Sequence, residues 1–103
     1  IHNDLRNAMC VSVDNLGDFT CTGTETKIEI IDNAIYQGGR KVTGEFFTEI
    51  IFEVINENVF ELTLEFEKTE PYKIKMLLNN FSFDSGDVGE TRNLSTNDLE
   101  YKK

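Results

Sequence analysis

The chain has 103 residues, of which 10 are basic and 19 acidic, so its formal net charge is −9 at pH 7. A chain of this length forms one domain, spanning 1–103, and its negative charge argues against nucleic acid and anionic membrane surfaces as primary partners. It has no run approaching the roughly 18 apolar residues that cross a bilayer, so no membrane insertion is expected.

The N-terminus carries no charged and then apolar signal pattern. A chain that begins at Ile1 instead of Met is expected to be trimmed, as a processed secreted protein or as an excised fragment. His2 is the only histidine and lies in a terminal segment that is expected to fray. A histidine-based metal site or catalytic pair is therefore not predicted.

The first predicted hairpin joins strands at 8–13 and 18–22 through a turn at 14–17. This pairing places Cys10 opposite Cys21, and directly opposed residues bring their Cβ atoms to about 4.5–5.5 Å, near the separation that a disulfide needs. The hairpin therefore predicts a Cys10–Cys21 disulfide, with two reduced thiols as the alternative.

The next segments are a predicted strand at 27–31 and a turn at 36–40. Gly38, Gly39, Arg40 and Lys41 concentrate positive charge in a flexible tip of an otherwise acidic chain. Such a tip is typical of a solvated hairpin, and it is also our candidate partner-binding or anion-binding loop.

The central feature is an alternating stretch from Glu45 to Leu78. Positions 45–55 are rich in Phe, Ile, Val and Thr and predict a strand, although their spacing also fits an amphipathic helix. Positions 60–66 alternate strictly between apolar and mainly acidic residues, which predicts one buried and one solvated face.

The strand that follows Pro71 carries Lys73 and Lys75 on the acidic face. A turn near Thr69 places Lys73 across from Glu65 and Lys75 across from Thr63. In this interpretation the glutamate row is a solvated face with its own counter-charges, and it needs no ligand.

The later part of the chain holds two Asn-X-Ser glycosylation patterns, at Asn80 and Asn93. Residues 81–83 are expected to continue the third strand of the sheet or to begin another. The tail 91–103 is expected to be a loop or a last edge strand, with frayed ends.

The loop 83–90 is the candidate metal site. Asp84, Ser85, Asp87 and Glu90 are oxygen ligands of the kind that calcium prefers, on a chain that glycines allow to bend. Their spacing is not that of an EF-hand, and Asp-Gly sequences are equally typical of plain turns. No cofactor is expected, with calcium as the alternative.

These patterns predict an all-β fold, an antiparallel sandwich or small barrel of about six or seven short strands. The alternative is an α+β fold with a helix near 45–55. The disulfide and the two glycosylation patterns favour a secreted protein.

No constellation of catalytic residues is found, so the chain is predicted not to be an enzyme. The leading hypothesis is a secreted binding domain of effector, toxin or adhesin type that contacts a protein partner through surface loops. The alternatives are a small-ligand or calcium-binding domain, a proteinaceous inhibitor, and a structural domain of a larger cell-surface protein.

Overall fold

The computed structural model describes residues 2–103, with the backbone alone of His2. Two antiparallel sheets of six and four strands pack together as an all-β sandwich, which confirms the predicted fold class. The elements in chain order are α1 His2–Arg6, β1 Cys10–Val13, β2 Leu16–Gly17, β3 Glu25–Ile31, β4 Ala34–Gln37, β5 Arg40–Lys41, β6 Phe47–Asn56, β7 Val59–Phe66, β8 Tyr72–Leu77, a 3-10 turn Ser85–Asp87, β9 Thr91–Asn93 and β10 Leu99–Lys102. The strand orders are β2-β1-β10-β3-β4-β5 and β8-β7-β6-β9.

The first hairpin is tighter than predicted. The chain reverses at Asp14, whose φ is 54°, and β2 begins at Leu16. The predicted strand at 18–22 is wrong, because this segment leaves the sheet after β2. The strand that pairs with all four residues of β1 is instead β10, from the other end of the chain.

Two-residue turns connect β3, β4 and β5. Asp32 and Asn33 have φ of 49° and 68°, and Gly38 and Gly39 have φ of 62° and 81°. Positive φ at both central residues matches the right-handed twist of the flanking strands, so these turns close antiparallel hairpins. The predicted strand at 27–31 is confirmed within β3, whereas the turn predicted at 36–40 contracts to its two glycines.

The helix considered for 45–55 is wrong, because this stretch forms β6. Ile50, Phe52 and Val54 are buried at alternate positions, which is the period of a strand and not of a helix. The strand pairs with β7 on one side and with β9 on the other, so the ladders on both sides fix its extended conformation.

The β7–β8 hairpin forms as predicted, but its register differs by two residues. Lys75 lies opposite Glu61, and Lys73 lies opposite Thr63 instead of Glu65. A shift of two residues keeps every side chain on its expected face. Both lysines therefore still lie on the glutamate face, but each lies opposite a residue of β7 that is two positions earlier in the sequence than predicted.

That face is less solvated than predicted at one position. Glu61 is only 8% exposed, lies opposite Glu53 on β6 and has the Lys73 Nζ atom 3.9 Å from its Oε1 atom. A buried carboxylate next to a like charge needs a cation nearby. Lys73 supplies that positive charge together with Lys75, which lies directly opposite Glu61 on β8.

The C-terminal segment is part of the sandwich. The expectation of a loop, an edge strand or frayed ends for 91–103 is wrong for β10, which lies between β1 and β3 and buries Leu99 and Tyr101. The expected strand at 81–83 is also wrong. This segment is irregular, and Phe83 enters the core from it.

Residues His2–Arg6, which were expected to lie in a frayed terminus, form helix α1. Leu5 belongs to the same core as the two sheets. The backbone N–H of Asn79 donates to the carbonyl oxygen of Arg6, and the Lys103 Nζ atom lies 2.6 Å from the Asp4 carboxylate. Helix α1 is thus tied to the loop after β8 and to the C-terminus. The largest fully buried side chains of the core are those of Tyr101, Phe52, Phe60, Leu5, Ile50 and Leu99.

Candidate partner-binding surface

The predicted disulfide joins Cys10 and Cys21, whose Cα atoms are 6.2 Å apart. Cys21 lies in the irregular segment 18–24 and not on the strand partner of Cys10. Lys102 holds the same segment from the neighbouring strand. Its Nζ atom donates to the carbonyl oxygens of Phe19 and Cys21 at 2.8 and 3.0 Å and lies 4.4 Å from the Phe19 ring centroid.

The predicted calcium ligands lie on and around the 3-10 turn Ser85–Asp87. The Asp87 carboxylate accepts a hydrogen bond from the backbone N–H of Gly17 at 3.2 Å, which attaches this turn to the edge strand β2. Among residues 2–103, no group of three or more His, Cys, Asp or Glu side chains is arranged to hold a metal ion. Calcium binding by Asp84, Ser85, Asp87 and Glu90 stays a prediction.

The predicted loop Gly38–Lys41 leads toward a groove in the surface. The Lys41 ammonium group donates to the Glu45 carboxylate. This contact raises the pKa of Lys41 and lowers the pKa of Glu45, because each charge stabilises the charged form of the other. Glu45 is itself one wall of the groove, so the pair joins the loop to it.

The groove has a volume of about 410 Å³ and lies where β6 begins and β7 ends. We call it the Phe46 groove. It is lined by Glu45, Phe46, Phe66, Glu67, Lys68 and Thr69. Phe46 is 57% exposed, whereas Phe47, Phe52, Phe60 and Phe83 are buried in the core.

The exposed Phe46 ring lies against Gly44 and next to Phe47. A Cβ atom added at Gly44 would overlap this ring, so a glycine is needed for the ring to lie where it does. The centroids of Phe46 and Phe47 are 5.2 Å apart, as are those of Phe47 and Phe66. These separations are in the range of favourable aromatic pairs.

Charged side chains surround the exposed ring. Within the described chain, Glu67 and Lys68 make no ion pair, so both are free to pair with groups outside the molecule. Tyr72, which is 61% exposed, lies at the same end of the sheet, because β8 begins there. The end of the sandwich thus combines apolar rings with unpaired charges of both signs.

A second groove, of about 290 Å³, is polar throughout and lacks this combination. It is lined by Ser12, Asp14, Thr96, Asn97, Asp98 and Glu100. Arg92 pairs with Asp14 at 2.9 Å, and Lys27 lies 3.7 Å from Asp98. Two of its carboxylates are therefore already neutralised within the protein.

The Phe46 groove could not be predicted from the alternating pattern, because Phe46 fits that pattern as a strand residue. The signal was present in the adjacent pair of Phe46 and Phe47. Successive side chains of a strand point to opposite faces, so two consecutive phenylalanines cannot both enter one core. Phe47 is buried, and Phe46 is left outside.

The outer face of the four-stranded sheet carries like charges in direct opposition. Glu49 lies opposite Glu65, and Glu53 lies opposite Glu61. The Glu49 carboxylate accepts a hydrogen bond from the Asn93 side chain. The pKa of Glu65 is raised, first because its side chain hydrogen-bonds to Glu49 and further because of burial and the negative charge of Glu49.

We expect Glu65→Gln to raise the melting temperature at pH 7. The folded-state pKa of Glu65 lies above its ordinary value of 4.5, so its favourable contribution is present below pH 4.5 and is lost as the pH rises through the folded-state pKa. The substitution removes the repulsion from Glu49 that exists above that pH. Melting curves from pH 3 to 7 measure the difference from the wild type.

The matched control for this substitution is Glu70→Gln, which removes one charge in the exposed turn between β7 and β8. We expect this control to leave the melting temperature almost unchanged at every pH. If Glu65→Gln melts at or below the wild-type temperature at pH 7, the opposed carboxylates do not destabilise the fold.

No protein-family model, curated protein or solved structure matches this chain. Among residues 2–103, no helix has the length and apolar character needed to span a bilayer. The class of protein that the structure defines is therefore an all-β sandwich with a disulfide bridge between Cys10 and Cys21.

Proposed function

We propose that this protein is an extracellular, non-enzymatic binding domain that contacts a protein partner through the Phe46 groove. The observation that carries the proposal is Phe46, which is 57% exposed and whose ring lies against Gly44 and next to the buried ring of Phe47. The disulfide Cys10–Cys21 supports the extracellular setting, because such bonds persist in oxidising compartments.

An exposed aromatic ring is suited to binding for a thermodynamic reason. An aromatic side chain has only two rotatable bonds, so little side-chain entropy is lost when a partner covers it. Burial of an aromatic ring removes a large apolar area from water, and aromatic side chains are enriched among the residues that dominate binding energy.

The charges around the ring supply specificity. Glu67 and Lys68 can each pair with an opposite charge on the partner, and Tyr72 offers a hydroxyl group beside an apolar ring. Charge complementarity of this kind mainly sets which partner is accepted and how fast it associates. The Gly38–Lys41 loop adjoins this surface through the Lys41–Glu45 pair and can make additional contacts.

The test is selection of binding peptides from a phage-displayed random library on the intact, disulfide-bonded protein. We expect peptides that bind the wild type to lose at least about tenfold in affinity to Phe46→Ser, which corresponds to about 1.4 kcal/mol. The matched control is Val88→Ser. Val88 is an apolar side chain that is 42% exposed beyond the far end of β6.

Binding that is weakened by Phe46→Ser and not by Val88→Ser supports the proposal. The proposal fails if no peptide is enriched over an unrelated β-sandwich, or if every enriched peptide binds the two variants equally. Melting curves of both variants show whether each is folded, so a loss of affinity is attributed to the surface and not to unfolding.

A further inference from the structure

The two Asn-X-Ser patterns lie in different structural environments, and this difference bears on which asparagine can carry a glycan. Asn80 is exposed in the loop that follows β8. Asn93 is half-buried in β9, opposite Ile51 of the central strand β6. An N-linked glycan is bulky and must lie on the surface of the folded domain.

The side chain of Asn93 is already used by the fold. Its Nδ2 atom donates to the Glu49 carboxylate across the sheet. Its Oδ1 atom accepts hydrogen bonds from the backbone N–H of Ser95 at 2.9 Å and from the Ser95 hydroxyl at 2.7 Å. Because Asn93 is half-buried in a strand, a bulky sugar on Nδ2 beside Glu49 would have to push the residue away from the sheet face.

The backbone of Asn93 adds a further constraint. Its carbonyl oxygen accepts hydrogen bonds from the backbone N–H groups of Thr96 and Asn97 at 3.3 and 3.1 Å. The residue thus organises the whole turn between β9 and β10, and β10 is an interior strand of the other sheet. A displaced Asn93 would disturb the connection between the two sheets.

Asn80 differs from Asn93 in its surroundings, because it is exposed and lies outside both sheets. Its Nδ2 atom makes one hydrogen bond, to the carbonyl oxygen of Asn7 at 3.1 Å. An amide nitrogen has two hydrogens, so one can be replaced by a sugar while the other keeps this bond. Ser82, the third residue of the pattern, is also exposed, and its hydroxyl oxygen accepts a bond from Asn58 at 3.0 Å.

We infer that Asn80 is the N-glycan attachment site of this protein and that Asn93 is not one. The inference rests on the extracellular setting of the proposed function. The donor is a polyprenyl-pyrophosphate-linked oligosaccharide. A bond forms between Asn80 Nδ2 and C1 of the first sugar while the bond from C1 to the pyrophosphate oxygen breaks, the pyrophosphate leaves with the electron pair, and Nδ2 loses one proton.

The position of Asn80 is compatible with binding at the Phe46 groove. The strand β8 begins with Tyr72 at the groove end and ends at Leu77, a distance of about 17 Å at about 3.3 Å per residue. Asn80 follows three residues later, at the opposite end of the sandwich. A glycan at this position leaves the groove open to a partner.

The experiment is secretion of the full chain from a eukaryotic cell, followed by intact mass and peptide mapping before and after treatment with a peptide N-glycosidase. We expect one glycan, with Asn80 converted to Asp by the enzyme. The glycan is lost in Asn80→Gln and in Ser82→Ala, which keeps the asparagine. The matched control Ser95→Ala removes the second pattern and leaves the glycan in place.

Three results would overturn the inference: a glycan on Asn93, a glycan that persists in Ser82→Ala, or a secreted protein without any glycan. A secreted, disulfide-bonded protein that lacks a glycan but binds peptides through Phe46 contradicts this site and leaves the proposed function standing. A glycan on Asn80 together with peptide binding that Phe46→Ser does not weaken supports this site and contradicts the proposed function.

Discussion

Leu5→Ala is expected to lower the free energy of unfolding by about 2–5 kcal/mol, the range for truncation of a fully buried leucine. Leu5 is 0% exposed and packs in the core shared by the two sheets. The helix α1 has five residues and would not be stable in isolation, so its docking depends on this side chain. Urea unfolding of both proteins measures the difference.

The matched control for Leu5→Ala is Met9→Ala, at a nearby side chain that is 47% exposed. We expect its effect to remain within about 0.5 kcal/mol. An equally small effect of Leu5→Ala would mean that α1 is not held by the core. In that case the hydrogen bond between Asn79 and Arg6 and the Asp4–Lys103 ion pair would have to hold it.

The sequence does not reveal α1, for a physical reason. A helix is recognised by apolar residues that recur every three to four positions, and five residues are too few to show that period. The helix forms because the sandwich offers a place for Leu5, which is tertiary information. Its contacts with Lys103 and Asn79 come from distant parts of the chain.

The C-terminal strand β10 is a different case, because its signal was present but short. Leu99 and Tyr101 alternate with Glu100 and Lys102, and the two apolar residues are buried. Four residues of alternation at the end of a polar segment do not separate a strand from a loop. The segment is a strand because it pairs with β1 and β3, and this long-range pairing cannot be predicted from the local sequence pattern.

The central hairpin shows how far an alternating pattern can specify pairing. Alternation fixes which face of β7 and β8 is buried, and this prediction agrees with the structure. It cannot distinguish registers that differ by two residues, because both keep the same faces. The predicted register pairs Glu65 with Lys73 and the observed one pairs Glu61 with Lys75, so opposite charges also fit both.

The candidate surface was harder to predict than the sheet. Its central ring is exposed because the β6–β7 pairing has a register shift between Phe47 and Glu49, so that Phe47 and not Phe46 is buried with Ile50. The pair of phenylalanines shows that one ring must point outward, but not which one. The predicted Gly38–Lys41 loop lies next to this surface only through the Lys41–Glu45 pair, a contact that follows from the folding of β5.

The double replacement of Cys10 and Cys21 by serine is expected to lower the free energy of unfolding by about 3 kcal/mol. The cysteines are 11 positions apart, and a cross-link that closes a loop of this size removes about that much chain entropy from the unfolded state. Urea unfolding should give the same loss for the reduced wild type, and reductant should not change the double variant.

Lys102 contacts the same segment as the disulfide and therefore affects how well that segment stays in place when the disulfide is removed. Because its ammonium group donates to the carbonyl oxygens of Phe19 and Cys21, the segment 18–24 keeps this attachment after the disulfide is removed, besides the two backbone hydrogen bonds between Thr24 and Lys103. Lys102→Met should therefore destabilise the double cysteine variant more than it destabilises the wild type, since the two attachments share one segment. Equal effects in both backgrounds would show that the disulfide and Lys102 act independently. In that case the disulfide would stabilise the protein through the unfolded chain alone, and the order of the segment in the folded protein would depend on Lys102 and on the backbone hydrogen bonds between Thr24 and Lys103.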